Sequence, residues 1–345
     1  MTAKPVRLRH LYQAAGPVLA VLITLVVVGR VTAADPEGFG PFPVRNFQPI
    51  QLLILGMFGD RAAVIKKGAL DVRMELAETS TVFNEQTARV SATMKLEQIR
   101  SGLFLRYGVT DRLEVAAEVP AVYRYRGGME GLITATERAT TGLAPARKAL
   151  KGTGFVFDVK RDGQTLFSSA DNELGLGDMT LMSKYQILAQ EKGSPAVALR
   201  FAVKVPSGDD GRFFGSGHTD LGLGLAVEKT VAHRWILYGN LNGIFPTGRV
   251  AGLTLQPALS SIAAVEYLWS PAFSLVTQFD YYSTPFHGTG INLLDRGVTE
   301  LTAGFNYRLR QNLLWQVYGV ENVDFITGSA ADFTLSTVVT YRFGS

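Results

Sequence analysis

Cysteine is absent from the chain, and only four of its 345 residues are histidine. Disulfide bonds, thiolate metal ligands and cysteine nucleophiles are therefore excluded, and the scattered histidines offer no metal-ligand spacing. We predict neither a metal nor a cofactor. Long apolar runs are also missing after residue 34, so no later segment could cross a membrane as a helix. If the mature chain enters a membrane, it does so as strands.

Acidic residues are missing from the first 34 positions, which carry four of the 34 basic residues. Residues 1–13 are basic, residues 14–29 are apolar and short for a membrane span, and small residues follow up to Ala34. This order predicts a cleaved signal peptide, residues 1–34. The remaining 30 basic and 30 acidic residues are in balance. The basic isoelectric point thus belongs to the leader, and we predict no nucleic-acid partner.

Hydrophobic residues recur with a period of two along most of the chain. In residues 197–205, valine, leucine and phenylalanine alternate with alanine, arginine and lysine, and residues 220–228 repeat this scheme after a Gly-rich break. Side chains of a strand alternate between two faces, so each segment has one apolar face and one polar face. About twelve such strands follow residue 68, as expected for a small transmembrane barrel or a large soluble sandwich.

The connections between these strands alternate in length. Five short breaks (109–111, 189–194, 230–233, 269–272 and 309–312) alternate with longer ones (80–93, 126–175, 207–217, 246–254, 284–297 and 323–331). Short turns on one side and long loops on the other are typical of outer-membrane proteins. We therefore predict an all-β fold, an antiparallel up-and-down transmembrane β-barrel at residues 68–345, in the outer membrane of a Gram-negative bacterium.

Two segments lie outside the regular pattern. Residues 35–67 are rich in proline and glycine and then apolar, so they could form a short strand, a lumenal plug or a periplasmic segment. Residues 126–175 form the longest outer loop and carry a hairpin signal at Asp162-Gly163. A connection this long is usually functional, which favours a lid. The apolar parity also flips near Glu97–Gln98, and we expect a β-bulge or a break there.

Four segments resemble a known family: GPFPVRN (40–46), RYGVTDRLEVAAEVP (106–120), GLGDMTLMSKY (175–185) and KVPSGDDGRFFGSGHTDLGLGLAVEK (204–229). They are similar to the bacterial outer-membrane family called domain of unknown function 3187. The stretch from Lys204 to Leu221 also resembles, more weakly, outer-membrane transporters grouped with the meta-pathway of phenol degradation. The first resemblance implies a barrel fold and an outer-membrane location, and it implies no functional residues.

Charged residues of both signs fall on the inward parity of the strands. Twelve strands lie between small barrels filled by side chains and large barrels that leave a channel, so these charges either line a pore or form a salt-bridge network. Small residues such as Gly222 on the same parity favour a pore. The predicted lumen-lining residues are Asp71, Arg73, Glu75, Arg106, Glu118, Arg124, Arg200, Lys204, Asp220, Glu266, Asp280, Glu300 and Arg308, together with Glu114, Lys184, Glu228 and Arg342.

An enzymatic site is weakly indicated. Ser216, His218 and Asp220 have the residue types of a hydrolytic triad, but on a strand they would be about 7 Å apart in succession, too far for direct hydrogen bonds. His233 and His287 fall in turns or loops. We predict no catalytic residue and no metal site, and keep a surface hydrolase as the weakest hypothesis.

Aromatic residues on the outward parity predict an interfacial girdle. The girdle residues are Tyr107, Trp235, Tyr267, Trp269, Tyr281, Tyr307, Trp315 and Tyr341.

The function that these patterns favour is a porin-like narrow channel or passive transporter for small solutes. The alternative is a closed barrel that acts as a structural or docking protein through its outer loops. The expected partners are outer-membrane lipid, the barrel-assembly machinery and either a small solute or a protein at the outer loops.

Overall fold

The structure, a computed structural model, describes residues 37–139, 142–191, 193–323 and 331–344. The predicted signal peptide, residues 1–34, lies outside these ranges. Within them, no helix combines the length and the hydrophobicity that are needed to cross a bilayer.

Twelve antiparallel strands form a closed barrel in which every strand pairs with both neighbours. The first and last strands close the wall, with Leu70 opposite Phe343. The predicted fold and strand number are confirmed. The barrel strands are β1 (Leu70–Gln86), β2 (Val90–Gly108), β3 (Leu113–Tyr125), β7 (Met179–Leu188), β8 (Ala196–Val205), β9 (Asp220–Ala232), β10 (Trp235–Pro246), β13 (Ala258–Ser270), β14 (Phe273–Tyr282), β15 (Val298–Arg310), β16 (Leu313–Asn322) and β17 (Phe333–Phe343).

The outer connections carry the remaining elements. Helix α1 (Glu130–Ala139), helix α2 (Pro145–Ala149) and the hairpin of β4 (Val156–Arg161) and β5 (Gln164–Ser168) belong to the longest loop. This loop, residues 126–172, is called the lid below. Three further strands and one helix are short: β6 (Glu173–Leu176), β11 (Arg249–Val250), β12 (Leu253–Thr254) and α3 (Asn292–Asp295).

The outer face of the barrel is apolar. Leucine and phenylalanine side chains such as Leu223 and Phe279 are more than half exposed on it. Near the short turns, the rings of Trp235 and Tyr267 lie 4.7 Å apart, and Trp269 packs edge-on against Tyr267. An apolar band with aromatic rings at its rim matches the hydrocarbon layer and interface of a bilayer, as the sequence predicts.

Strands β1 and β2 extend further than the sequence suggests. The break expected at residues 80–93 is wrong, because only residues 87–89 separate the two strands. The bulge or break expected near Glu97–Gln98 is also wrong, because the β1–β2 register runs unbroken from Leu70 to Gln86. Even-numbered residues of β2 face inward throughout. The first part of this face is apolar instead of polar, which gives the appearance of a parity flip; its residues are Val90, Ala92, Met94 and Leu96.

The lid explains that change of composition. Its β4–β5 hairpin pairs with β2 along Val90–Lys95, so the barrel sheet extends into the outer loops. The apolar inner face of β2 packs there with Phe157, Val159 and Phe167 of the hairpin. Burial of each of these side chains stabilises the packed lid by about 2 kcal/mol, and together they hold it across the outer mouth.

Candidate functional site

Residues 37–67 thread through the barrel interior and are called the plug below. Most apolar side chains of the plug are buried, and those of Phe42, Ile50 and Phe58 are fully so. A short 3₁₀ turn, Gln51–Leu53, is the only regular element found in the described part of the plug. The small inward residues of the wall make room for it, since a Cβ on Gly222 would lie 2.6 Å from the sulfur of Met57.

Wall side chains accept the hydrogen bonds of the plug backbone. An extended segment without sheet partners leaves its N–H groups unsatisfied, which is costly in a buried site. Glu266 accepts from the N–H of Phe39 at 3.1 Å, and Gln278 accepts from the N–H of Phe42 at 3.0 Å. Further on, Asp220 accepts from Leu55 at 2.8 Å. These inward polar residues therefore stand in for a neighbouring strand.

A four-residue ion network links the plug to β1, β2 and β3. Arg45 of the plug forms two hydrogen bonds of 2.9 Å with the carboxylate of Glu118. Arg100 binds the same carboxylate at 2.7 Å and Glu75 at 2.9 Å. All four side chains are at most 7% exposed, so the charges neutralise one another away from solvent. Arg100 and Arg45 are absent from the residues predicted by sequence.

Asp60 is the centre of a second network. Its carboxylate binds Nη2 of Arg106 and Nζ of Lys184, each at 3.1 Å. Glu114 accepts from the same Lys184 at 3.0 Å and lies 3.3 Å from Nε of Arg106. The next plug residue, Arg61, pairs with Glu228 of β9 at 2.6 Å. The plug is thus held by salt bridges from both sides of the barrel.

The third network lies near the outer end and contains the residues of the hypothetical triad. Lys204 binds Asp178 at 2.8 Å and Asp220 at 3.2 Å, and it also donates to the hydroxyl of Ser216. The hydroxyl of Ser216 donates to Asp178 at 3.2 Å and accepts from the backbone N–H of His218 at 3.2 Å. The side chain of Ser216 therefore belongs to a network of one lysine and two carboxylates. The imidazole of His218 lies instead against Gly248.

The other predicted lumen residues are also largely inside the barrel. Arg73 lies between the rings of Phe104 and Phe58, 4.1 and 4.8 Å from their centroids. Arg124 donates to the backbone oxygen of Arg212 in an outer loop at 3.1 Å. The remaining predicted residues make these contacts: Arg200 with Asn240 and Asn242, Asp280 with Gln278 and Thr302, Glu300 opposite Asp280 in the sheet register, Arg308 over the ring of Phe39, and Arg342 with Asp71.

The outer mouth is closed by apolar packing. Phe167 of the lid lies 5.3 Å from the ring of Phe213 and 6.2 Å from the ring of Phe286, which belong to two other outer loops. Ile291 and Leu293 bury their side chains in the same cluster. Three long loops therefore meet at one ring above the charged interior.

Most of the chain matches one known protein family. A family model described as "Protein of unknown function (DUF3187)" matches residues 18–343. The chain belongs to this family. The predicted resemblance is therefore confirmed. No curated protein gives a significant match to the sequence.

The structure is similar to several solved outer-membrane channels and porins. The COG4313 outer membrane channel from Pseudomonas putida F1 has a TM-score of 0.56 and 14% identity, over 82% of this chain and 98% of that one. The NanC porin has a TM-score of 0.45 and 10% identity, over 79% and 100%. The KdgM porin has a TM-score of 0.42 and 9% identity, over 80% and 99%. The likeness to the first shows a fold of the outer-membrane channel type.

Several residues of the networks escaped the sequence analysis for one reason. Arg45, Asp60 and Arg61 lie in the plug, whose placement the sequence leaves open. A usable signal exists, however, because these are the only charged residues between Glu37 and Lys66. Isolated charges in an apolar, Gly- and Pro-rich segment next to a barrel with inward charges indicate partners inside the barrel.

Proposed function

We propose that this protein is a narrow outer-membrane channel or passive transporter for small solutes, held closed by the plug and covered by the lid. The observation that carries this proposal is how the barrel is filled. The interior is occupied by a separate, mostly irregular segment, and much of its attachment to the wall is made of salt bridges and hydrogen bonds. Movement of that segment leaves a passage lined by charged and amide side chains.

We propose that the channel has no enzymatic activity. Ser216, the candidate nucleophile, belongs to a network of Lys204 and two aspartates. No group of three or more acidic or histidine residues that could hold a metal ion is found in the described part of the chain. The proposed environment is the outer-membrane lipid around the apolar band, reached with the help of the barrel-assembly machinery.

Conductance in a planar bilayer tests the proposal. Three proteins are compared: the wild type, a variant that lacks residues 38–64, and a variant in which residues 128–170 are replaced by a short Gly/Ser linker that leaves β6 paired with β3. We expect small or intermittent currents from the wild type and a larger, steadier current from the variant without the plug. Absence of current in all three folded proteins contradicts the channel.

The packed outer mouth supports a second candidate, a closed barrel that acts as a docking protein through its outer loops. The ring cluster around Phe167 fixes three loops relative to one another and gives them a defined outer surface. Under this candidate the plug is a permanent filler. Its removal then lowers the thermal stability of the barrel and produces no current.

A further inference from the structure

We propose that the cationic site around Asp60 is the binding site for small organic anions, and that the Asp60 carboxylate occupies it as an internal stand-in for the solute. This inference rests on the proposed function, and it names the class of solute. Three cations of the wall are involved: Arg106 of β2, Lys184 of β7 and Arg200 of β8. They line one cavity of about 20 Å³ together with Asp60 and Glu114.

The carboxylate of Asp60 is bound as a ligand carboxylate would be. One oxygen accepts from Arg106 at 3.1 Å and from the N–H of Arg61 at 2.9 Å, and the other accepts from Lys184 at 3.1 Å. Charge-assisted hydrogen bonds of this kind are the strong form of carboxylate recognition. Lys184 also donates to the backbone oxygen of Arg61 at 3.0 Å.

The backbone of Asp60 is held in position by one amide side chain. Asn240 accepts from the N–H of Asp60 at 2.7 Å and donates to its C=O at 3.0 Å, as a neighbouring strand would do. These two hydrogen bonds fix the backbone of Asp60 and so the direction of its carboxylate. Asn240 also lies 3.5 Å from Nη1 of Arg200, the third cation.

Charge at the site is unbalanced once the plug leaves. Among the wall residues that line the cavity, three are cations and one, Glu114, is a carboxylate, so withdrawal of Asp60 leaves an excess of two positive charges there. Asp71, which lies opposite Arg106 in the sheet, is already paired with Arg342. Arg73 is a fourth cation nearby, since it shares the ring of Phe104 with Arg106, and the carboxylates of Glu75 and Glu118 also act on it. Arg73 is 8% exposed, and its Nε and Nη2 atoms have no hydrogen-bond partner in the described part of the chain. A buried guanidinium with free donors favours an incoming anion.

Chemical rescue tests the site without requiring a pore. Asp60→Ala removes the carboxylate and leaves the cationic site open to a small free carboxylate such as acetate. We expect trypsin to cleave after Arg45 and Arg61 about tenfold faster or more in this variant, because loss of one partner leaves buried charges uncompensated. Sodium acetate should restore protection, whereas acetamide, its neutral isostere, and sodium chloride at equal ionic strength should not.

Two matched variants complete the test. Glu37→Ala removes a plug carboxylate that is 72% exposed, and acetate should leave its cleavage unchanged. Asp60→Asn keeps the shape without the charge, so its current should shift toward anions in a salt gradient, even if Asp60→Ala does not fold. Equal effects of acetate, acetamide and chloride on Asp60→Ala, or a shift of Asp60→Asn toward cations, overturn the anion site. Rescue by acetate without current in any variant supports the anion site and contradicts the channel.

Discussion

Arg45 and Glu118 lie 73 positions apart in sequence and form a bidentate ion pair inside the barrel, with both hydrogen bonds at 2.9 Å. This pair joins the plug to β3. It is shared, because Arg100 binds the same carboxylate and balances Glu75 as well. The plug is therefore fastened through a network in which two arginines neutralise two glutamates.

Replacement of Arg45 by alanine should release the plug. The change leaves Arg100 facing two carboxylates, and loss of one member of a buried ion pair typically costs about 3 to 5 kcal/mol. Tryptic cleavage after Arg61 measures the release. The control is Arg342→Ala, because the side chain of Arg342 is 40% exposed and its pair with Asp71 contributes less. Equal cleavage rates in the two variants contradict the prediction.

Gly222→Val should displace the plug by steric conflict. A Cβ at Gly222 already lies 2.6 Å from the sulfur of Met57 and 2.8 Å from Cδ2 of Leu55. Overpacking a filled interior costs about 1 to 3 kcal/mol, and displacement of the plug relieves it. Single-channel recording should then show more frequent openings. Gly243→Val on the outward face of β10 is the matched control, and openings that are equally frequent in both variants argue against the conflict.

Phe167→Ala should loosen the lid. Removing a buried phenylalanine costs about 3 to 5 kcal/mol, and here the loss falls on the contact between three loops. Hydrogen–deuterium exchange of β4 and β5 should become faster, while exchange of the barrel strands stays the same. Leu132→Ala on α1, where the side chain is 66% exposed, should change neither. If the hairpin of Phe167→Ala still exchanges slowly, its pairing with β2 alone holds the lid, and the prediction is wrong.

Asp332 should make the attachment of the lid depend on pH. This carboxylate lies in the loop before β17 and pairs with Arg147 of α2, around which Glu130 and Glu137 also gather. Burial raises the pKa of Asp332 from 3.8 to about 6, and Arg147 only partly opposes this effect. The protonated form is thus favoured in the folded protein. Its stabilising contribution is fully present below pH 3.8 and is lost as the pH rises through about 6.

The stability of Asp332→Asn measures this effect. The difference in unfolding free energy between wild type and variant should change by about 2 kcal/mol between pH 4 and pH 7.5, with the wild type losing stability as the pH rises. Lys95, which lies 3.5 Å from Glu130, and Glu321 of β16 are the neighbouring titratable groups, and they are common to both proteins. A pH-independent difference excludes Asp332 as the responsible group.

The barrel wall was predictable because its pattern is local. Alternation along residues 197–205 and 220–228 places each side chain inside or outside without reference to any other strand. Where β2 leaves the bilayer, however, its inward side chains meet the lid instead of the polar interior. Met94 and Leu96 are apolar because of Phe157, which is about 60 residues away in sequence. A local pattern cannot distinguish an apolar residue that faces lipid from one that faces a lid.

The plug was not predictable for a related reason. Its regular structure is one short turn, so its place depends on partners such as Glu266 and Gln278, more than 200 positions away. Nothing in residues 35–67 specifies those partners. What the sequence did indicate was an inward set of charges that need neutralising, and Arg45, Asp60 and Arg61 supply part of that neutralisation.

The position of the plug before the barrel strands in the chain also sets an order of events during biogenesis. Residues 37–67 are synthesised before the barrel strands, yet their partners include Glu266, Gln278 and Asn306 near the end of the chain. The plug can reach its final place only after most of the wall exists. Until then Arg45, Asp60 and Arg61 remain hydrated, so the nascent barrel passes through a stage with an unoccupied interior. The plug is made before the strands that hold it, and it takes its final place after them.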